Sequence, residues 1–270
     1  MISKPQMWSP GLNAEHNVGP GLSHAWPLWE RAGTRVADVV GDAPGTFNSA
    51  SGTGPQWEGD RLAFTAASDD SIDLGVVTMG DSFSIALLLV RGAAATEEMI
   101  GGNTQEITFD HDGNQLRAVR SGVAIVGNTT TSFISGLGSD YPMLVGLSNK
   151  ATGGGNYDLL FYANGKVQTD THSDAAWVRK LRHIGKQGDN VNSFGGRYIA
   201  VCIADWGFGK AEFDALYADF FAAFRTHDKI HLYEAGIPAV GGGRIMSSLA
   251  AGGGLAGEGG IAGRSGGLAA

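Results

Sequence analysis

Short runs of alternating apolar and polar residues, separated by Gly, Asn, Asp and Ser, extend over much of this sequence. Residues 82–90 begin with such alternation and then become wholly apolar, as expected for a strand that enters a sandwich core. Residues 107–109 and 116–119 flank a Gly-containing turn and predict a hairpin. Further predicted strands are residues 61–65, 71–74, 123–126, 143–147, 159–163 and 197–204. Short strands with frequent turns favour an all-β sandwich.

One segment after the last predicted strand has helical periodicity instead. Large apolar side chains recur at i, i+3, i+4, i+7, i+8 and i+11 within residues 210–225, which predicts an amphipathic helix. Because the helix is short and aromatic on one side, we expect it to pack against the sandwich and to bury Phe213, Tyr217, Phe220 and Phe224. The full stripe consists of Phe213, Leu216, Tyr217, Phe220, Phe221 and Phe224.

Composition and charge exclude several classes of protein. The chain has 19 Lys and Arg against 27 Asp and Glu, a net charge of −8 that argues against a nucleic-acid binder. Its single cysteine, Cys202, excludes an internal disulfide framework and a multi-cysteine zinc site. No apolar run approaches the roughly 20 residues that span a bilayer, and the first residues lack the apolar core of a secretory signal. We therefore predict neither a membrane nor a nucleic-acid partner.

The order of these segments resembles that of the laminin-G-like, concanavalin-A-like jelly-roll domains over residues 22–224. The matching pieces are residues 22–38, 62–64 with 70–75, 83–85, 160–165, 184–185, 194–199 and the final aromatic helix. The resemblance implies a mostly β fold, an antiparallel β-sandwich jelly roll with one C-terminal amphipathic helix.

Individual residues in these pieces have plain physical roles. Asn164-Gly165 suits a type I′ turn, in which both central residues have positive φ. The aromatic residues at strand positions are interpreted as core, and the alternative for some of them is a sugar-stacking platform. They are Trp26, Trp29, Phe64, Phe83, Phe161 and Phe194.

Concanavalin-like folds include glucanases whose carboxylates follow the pattern Glu-x-Asp-x-x-Glu. The chain has Glu58-Gly59-Asp60 and Glu212-Phe213-Asp214, but the third acidic position is Ala63 in one case and Tyr217 in the other. Without that carboxylate, neither segment assembles an acid/base pair locally. We therefore predict that the protein is not an enzyme and has no catalytic residues.

No residue is assigned to a cofactor or metal. Cys202 lies in an apolar strand and is interpreted as a buried small hydrophobe. Asp69-Asp70 and Asp110-x-Asp112 each offer two oxygens toward calcium, which needs six to eight. Aspartates in turns more often hydrogen-bond the local backbone than bind a metal, so we predict no cofactor and name no metal ligand.

The last 30 residues are a low-complexity segment with 12 glycines and 6 alanines. We divide the chain into an N-terminal arm (1–21), a jelly-roll domain (22–235) and a Gly/Ala-rich linker and tail (236–270). Branched residues recur in the tail at intervals of six, six and seven, which favours an extended arm that orders only on a partner; a disordered tail is the alternative. The predicted assembly-arm residues are Ile245, Leu249, Leu255, Ile261 and Leu268.

Such a tail after a laminin-G-like domain resembles the ends of structural proteins in tailed-phage virions. The resemblance implies a non-enzymatic virion protein, a capsid decoration or tail- or head-associated protein, that is assembled in a bacterial host and bound to other virion proteins or to copies of itself. The alternative hypothesis is a carbohydrate-binding adhesion module that recognises surface glycans. A glycan array separates the two.

Overall fold

The computed structural model describes residues 16–92, 96–137, 141–173, 176–186 and 193–224. In these ranges the chain forms sixteen β-strands, one α-helix and three 3₁₀ helices. The strands are β1 (Leu22–Trp26), β2 (Arg35–Val36), β3 (Gly45–Asn48), β4 (Gln56–Glu58), β5 (Arg61–Ala63), β6 (Ser71–Thr78), β7 (Phe83–Val90), β8 (Thr96–Gly101), β9 (Ile107–Asp112), β10 (Gln115–Arg120), β11 (Ala124–Asn128), β12 (Met143–Gly153), β13 (Asn156–Ala163), β14 (Lys166–His172), β15 (Lys180–Ile184) and β16 (Arg197–Ala204). The helix α1 spans Lys210–Ala218, and the 3₁₀ helices span Gly19–Gly21, Ala66–Ser68 and Phe220–Phe224.

The strands form two antiparallel sheets of eight strands each. Sheet A has the order β14-β13-β12-β7-β16-β5-β4, and β1 also pairs with β16. Sheet B has the order β11-β10-β9-β8-β15-β6-β3-β2. Each sheet places strands from distant parts of the chain side by side, for example β7 between β12 and β16. The predicted fold class, an antiparallel β-sandwich with one late helix, is confirmed.

The main core lies between the two sheets. Apolar side chains of β7 and β12 in sheet A meet those of β8 and β9 in sheet B, and all are fully buried. Ile85, Leu87 and Phe161 contribute from sheet A, and Ile100 and Phe109 contribute from sheet B. The burial of these apolar side chains is the main force that holds the two sheets together.

Side chains also join the two sheets along one edge. The Asp170 carboxylate on β14 accepts the backbone N–H of Asn128 on β11 at 3.2 Å. Two residues earlier, Gln168 accepts the N–H of Thr130 at 2.9 Å. An edge strand whose N–H groups are satisfied in this way offers less of a template for pairing with another chain.

A second apolar cluster covers the other face of sheet A. Phe213 on α1 lies over Gly146 on β12 and stacks on Tyr162, with ring centroids 5.1 Å apart. A Cβ on Gly146 would lie 2.2 Å from the Phe213 ring, so the close approach requires glycine. Phe220 and Phe224 complete the cluster from the final 3₁₀ helix, and both are buried as predicted.

The predicted single helix over residues 210–225 is wrong in one respect. The α-helix ends at Ala218 because Asp219 has extended backbone and its carboxylate accepts the N–H of Ala222 at 3.1 Å, which starts a new 3₁₀ turn. The break rotates the stripe, and Tyr217 is 50% exposed instead of buried. Trp29 is also not a core residue, since it is 38% exposed and packs on the outside against Phe221 and Phe224.

A buried carboxylate organises the turn that the family resemblance predicts after the first strand. Asp38 accepts the backbone N–H groups of Ala25 and Gly41 at 2.9 Å and the Nδ1 of His24 at 2.6 Å. Burial alone would raise the pKa of Asp38, but these hydrogen bonds outweigh it and lower the pKa. The ionised carboxylate therefore acts as the anchor of the turn.

The predicted type I′ turn at Asn164-Gly165 is confirmed. Both residues have positive φ, 45° and 88°, and they connect β13 to β14 as a two-residue loop. The turn fixes the pairing register of these strands and thereby places Tyr157 opposite His172.

Candidate functional site

Both predicted Glu-x-Asp segments have structural roles. Glu58 ends β4 and pairs with Arg197 at 2.5 Å, and Asp60 follows it in the turn to β5. Glu212 lies in the first turn of α1 and accepts the N–H of Gly209 at 2.8 Å. The segments therefore belong to a hairpin turn and a helix start, and neither presents two carboxylates on one strand face.

The four aspartates considered for calcium are bound to other groups. Asp69 contacts the Lys186 ammonium at 3.1 Å and accepts the Ser193 hydroxyl. One oxygen of Asp70 accepts the N–H of Thr65 at 2.9 Å. Within the described ranges, no group of three or more His, Cys, Asp or Glu is arranged to hold a metal ion.

The other two aspartates share one arginine on the outer face of sheet B. Arg117 donates from Nε and Nη2 to the two oxygens of Asp110, at 2.8 and 2.9 Å, and from Nη1 to Asp112 at 2.7 Å. Burial raises the pKa of Asp110 although Arg117 opposes the shift. This face of the sheet neutralises its own charges.

The remaining predicted positions divide between core and undescribed residues. Cys202 is buried in β16, and burial raises the pKa of its thiol, so it has the predicted character of a small hydrophobe. The assembly-arm residues Ile245, Leu249, Leu255, Ile261 and Leu268 lie outside the described residues. No helix in the described part of the chain is long and apolar enough to cross a membrane.

A cluster of aromatic and polar side chains, which we call the Trp177 cluster, lies at one end of the sandwich. It consists of Asp81, Asn149, Tyr157, His172, Trp177 and Arg179. Tyr157 and His172 are cross-strand neighbours on β13 and β14, and their rings stack with centroids 4.8 Å apart. The Trp177 ring meets the edge of His172 at 5.2 Å, and the Arg179 guanidinium lies 4.6 Å from the centre of the Tyr157 ring. The cluster thus joins sheet A to the segment that leads into β15 of sheet B.

Hydrogen bonds hold the polar members of the cluster in place. Asn149 is fully buried on β12; its Oδ1 accepts a hydrogen bond from His172 Nε2 at 2.9 Å, and its Nδ2 donates to the carbonyl of Asp81 at 2.7 Å. The Asp81 carboxylate in turn pairs with Arg179 Nη1 at 3.1 Å. Asp81 is 73% exposed, so the cluster reaches solvent on this side.

Three N–H donors of the cluster are buried and have no hydrogen-bond partner among the described residues. They are the Trp177 indole Nε1 and the Nε and Nη2 of Arg179. Other described residues, such as His183 and Asp70, each have one buried polar atom without a partner. Arg179 has two, and Trp177 adds a third. Buried donors in folded proteins are nearly always satisfied by protein, water or a ligand, so three in one cluster mark it as a candidate ligand position.

A second buried polar pair lies between β8 and β9. His111 Nε2 is 3.0 Å from Glu97 Oε2, and both side chains are fully buried. The other Glu97 oxygen accepts the N–H of Gly195 at 3.2 Å. The pair faces the inter-sheet core, so its most direct role is to close that end of the core.

The sequence pattern does not predict the Trp177 cluster. Its members come from four separate segments, and Asn149, Tyr157 and His172 carry no motif. One signal was present: Trp177 and Arg179 lie two residues apart between strands, where an aromatic side chain has no strand alternation to explain it.

The comparisons with known proteins establish the fold alone. No protein-family model matches the sequence, and no curated protein matches it significantly. Among solved structures, Trypanosoma rangeli sialidase in complex with sialic acid has a TM-score of 0.54 at 12% identity, covering 77% of this chain and 34% of the sialidase chain. The binding domain of botulinum neurotoxin serotype D has a TM-score of 0.54 at 12% identity, covering 74% of this chain and 52% of its own.

A third similar structure comes from work on the entry of botulinum neurotoxin type C into cells, which depends on interaction with two ganglioside molecules. It has a TM-score of 0.54 at 12% identity and covers 75% of this chain and 52% of the neurotoxin chain. The chain thus spans about a third of the sialidase chain and about half of each neurotoxin chain.

Proposed function

We propose that this chain is a non-enzymatic glycan-binding module and that sugar binds at the Trp177 cluster. The observation that carries the proposal is a set of three buried N–H donors, which have no partner among the residues that the structure describes, beside the aromatic rings of Tyr157, His172 and Trp177. Small-molecule sites commonly combine aromatic side chains with a few fixed hydrogen-bonding groups. Sugar hydroxyl, carbonyl and carboxylate oxygens are acceptors that such donors require.

The similar structures support the same class of ligand. One is a sialidase that holds sialic acid, and another comes from a neurotoxin that interacts with gangliosides. Since these proteins share only the fold with this chain, they favour the hypothesis of a glycan module over that of a virion structural protein without assigning a ligand.

A glycan array followed by titration calorimetry tests the proposal. Trp177→Phe keeps an aromatic ring and removes the indole N–H, and we expect it to weaken binding of the best array ligand about tenfold, the effect of one hydrogen bond in a desolvated site. The matched control is Trp57→Phe, because the Trp57 indole donates to the carbonyl of Gly33 at 3.0 Å, outside the cluster. Absence of any array ligand would contradict the proposal, as would equal binding by wild type and Trp177→Phe.

The same samples test the absence of enzyme activity. Because Glu58 and Asp60 lie in a hairpin turn and Glu212 starts a helix, we expect no release of reducing sugar from bound glycans or from a panel of β-glucans. Release that disappears on changing Glu58 or Asp60 would overturn this expectation.

The virion role stays a separate prediction that rests on the tail. The repeat of branched residues in the tail favours an arm that docks onto a partner, and deletion of residues 241–270 should leave the jelly roll folded but abolish incorporation into a particle or oligomer. Incorporation of the truncated protein at normal occupancy would refute it.

A further inference from the structure

Arg179 differs from two other arginines of this protein in one specific way. Arg117 holds Asp110 through its Nε and Nη2 atoms, at 2.8 and 2.9 Å. Arg182 holds Glu106 through the same two atoms, also at 2.8 and 2.9 Å. In Arg179 the corresponding Nε and Nη2 atoms are buried and have no partner within the described part of the chain.

The remaining part of the Arg179 side chain is already fixed. Its Nη1 pairs with Asp81 at 3.1 Å, and its guanidinium lies 4.6 Å from the centre of the Tyr157 ring. The side chain is only 13% exposed, so an alternative rotamer would have to give up both contacts. The unpartnered edge is therefore held in a constant orientation before any ligand binds, which lowers the entropy cost of binding.

The chemistry of this edge selects its occupant. The Nε–H and Nη2–H bonds are nearly parallel and match the two oxygens of a carboxylate, whereas a single hydroxyl or carbonyl oxygen satisfies only one of them well. Asp81 pairs with Nη1 at the solvent side of the guanidinium. A ligand carboxylate at the opposite edge would neutralise the positive charge there. The Trp177 indole N–H adds a third donor for a neighbouring oxygen of the same sugar.

We infer that the glycan bound at the Trp177 cluster is acidic and that the Nε–Nη2 edge of Arg179 receives its carboxylate. This inference rests on the proposed glycan-binding function and specifies the class of sugar, a sialic-acid-type or uronic-acid residue. It also identifies Arg179 as the residue that determines specificity.

Matched ligands test the inference without changing the protein. Wild type is titrated with 3′-sialyllactose, with the methyl ester of the same trisaccharide, with a glucuronic-acid-terminated trisaccharide and with lactose. We expect an acidic sugar to bind about tenfold or more tightly than its neutral counterpart, the effect of one charge-assisted bidentate contact. The sialyl and glucuronyl arms distinguish the two sources of the carboxylate.

Two conservative variants locate the preference. Arg179→Lys keeps the positive charge but loses the paired Nε–H and Nη2–H donors, and we expect it to lose most of the preference for the acidic sugar over the neutral one. Arg197→Lys is the control, because Arg197 is half-exposed and pairs with Glu58. Chemical denaturation of both variants shows whether they are folded.

The outcomes separate the inference from the proposed function. Equal binding of the acid and its methyl ester by wild type, or a preference that survives in Arg179→Lys, would overturn the inference and leave glycan binding intact. No binding of any of these sugars, together with a blank array, would overturn both. A preference that is lost only in Arg179→Lys supports both.

Discussion

The outer faces of the two sheets are completed in opposite ways. The outer face of sheet A is covered by α1 and the final 3₁₀ helix, whose Phe213, Phe220 and Phe224 form a second apolar core with Tyr162 and Phe208. The outer face of sheet B carries charged side chains that pair across strands, among them Arg117 with Asp110 and Asp112. One face is stabilised by burial and the other by matched charge.

The difference shows where in this fold hydrogen-bonding groups are left for a ligand. On sheet A the helix occupies the face, and on sheet B Arg117 and Arg182 already hold the carboxylates of Asp110 and Glu106. At the end of the sandwich, by contrast, the Nε and Nη2 of Arg179 and the Trp177 indole N–H lack partners among the described residues. Other described side chains leave one such buried atom each, so the Trp177 cluster differs from them in holding two on one side chain and a third nearby.

The largest expected change in stability comes from removing part of the apolar cover of sheet A. Phe213 is fully buried and touches Gly146, Tyr162 and Phe208, so Phe213→Ala should lower the free energy of unfolding by about 3–5 kcal/mol. Chemical denaturation measures the change. A loss below about 1 kcal/mol would mean that α1 is not packed as described.

Tyr217 is the matched control on the same helix. It is half-exposed and meets the edge of the Tyr162 ring, with ring centroids 6.5 Å apart. Tyr217→Ala should therefore change the free energy of unfolding by about 0.5 kcal/mol or little more. A loss as large as that of Phe213→Ala would restore the single continuous stripe expected from the sequence.

A smaller effect is expected on sheet B. Arg117→Met leaves the buried Asp110 carboxylate without its main partner, at a cost of about 1–3 kcal/mol. The double variant Arg117→Met with Asp110→Leu removes both charges and should recover much of that loss, since apolar pairs often replace buried ion pairs without penalty. Additive losses in the double variant would contradict the description of this face as a set of matched charges.

How far the sequence determines these faces can be judged from particular strands. The ends of β16 are predicted correctly because the strand is an almost unbroken apolar run between polar residues. The β13–β14 turn is predicted because Asn-Gly has few other uses. Local signals of this kind account for most of the central strands.

The failures arise where a distant partner determines burial and, in one case, where a local hydrogen bond breaks the helix. The pattern does not predict β8, because Glu97 and Glu98 suggest an exposed segment, yet Glu97 is buried against His111 and the N–H of Gly195. Asp219 within the apolar stripe ends the α-helix by accepting the N–H of Ala222, and this moves Tyr217 outward. The Trp177 cluster depends on pairings between four segments, which periodicity in a single sequence does not contain.

The smallest expected effect concerns how the free energy of unfolding depends on pH. Burial lowers the pKa of His183. The positive charges of Lys186 and Arg182 lower it further, whereas the negative charge of Asp73 raises it. As the pH falls through about 6.5, the unfolded chain binds a proton at this histidine before the folded chain does, so the free energy of unfolding falls. Urea denaturation at pH 7.5 and pH 5.5 should show a smaller loss in His183→Gln than in wild type.

Part of the pH dependence should survive in that variant, because burial also lowers the pKa of His16. An unchanged loss in His183→Gln would mean that the His183 ring is solvated in the folded protein. A larger loss would contradict the sign of the shift.

The most direct test of glycan binding at the Trp177 cluster observes the indole N–H groups. The protein has six tryptophans, and a ¹H–¹⁵N spectrum resolves one indole signal for each, with Trp177→Phe assigning the signal of interest. On titration with an acidic glycan, the account predicts a shift of the Trp177 indole signal, because this donor gains an acceptor. The Trp26 and Trp57 signals should stay in place, since their N–H groups already donate to the carbonyls of Ala43 and Gly33. A saturating glycan that leaves the Trp177 signal unmoved while it shifts another indole would place the binding site elsewhere and contradict the account.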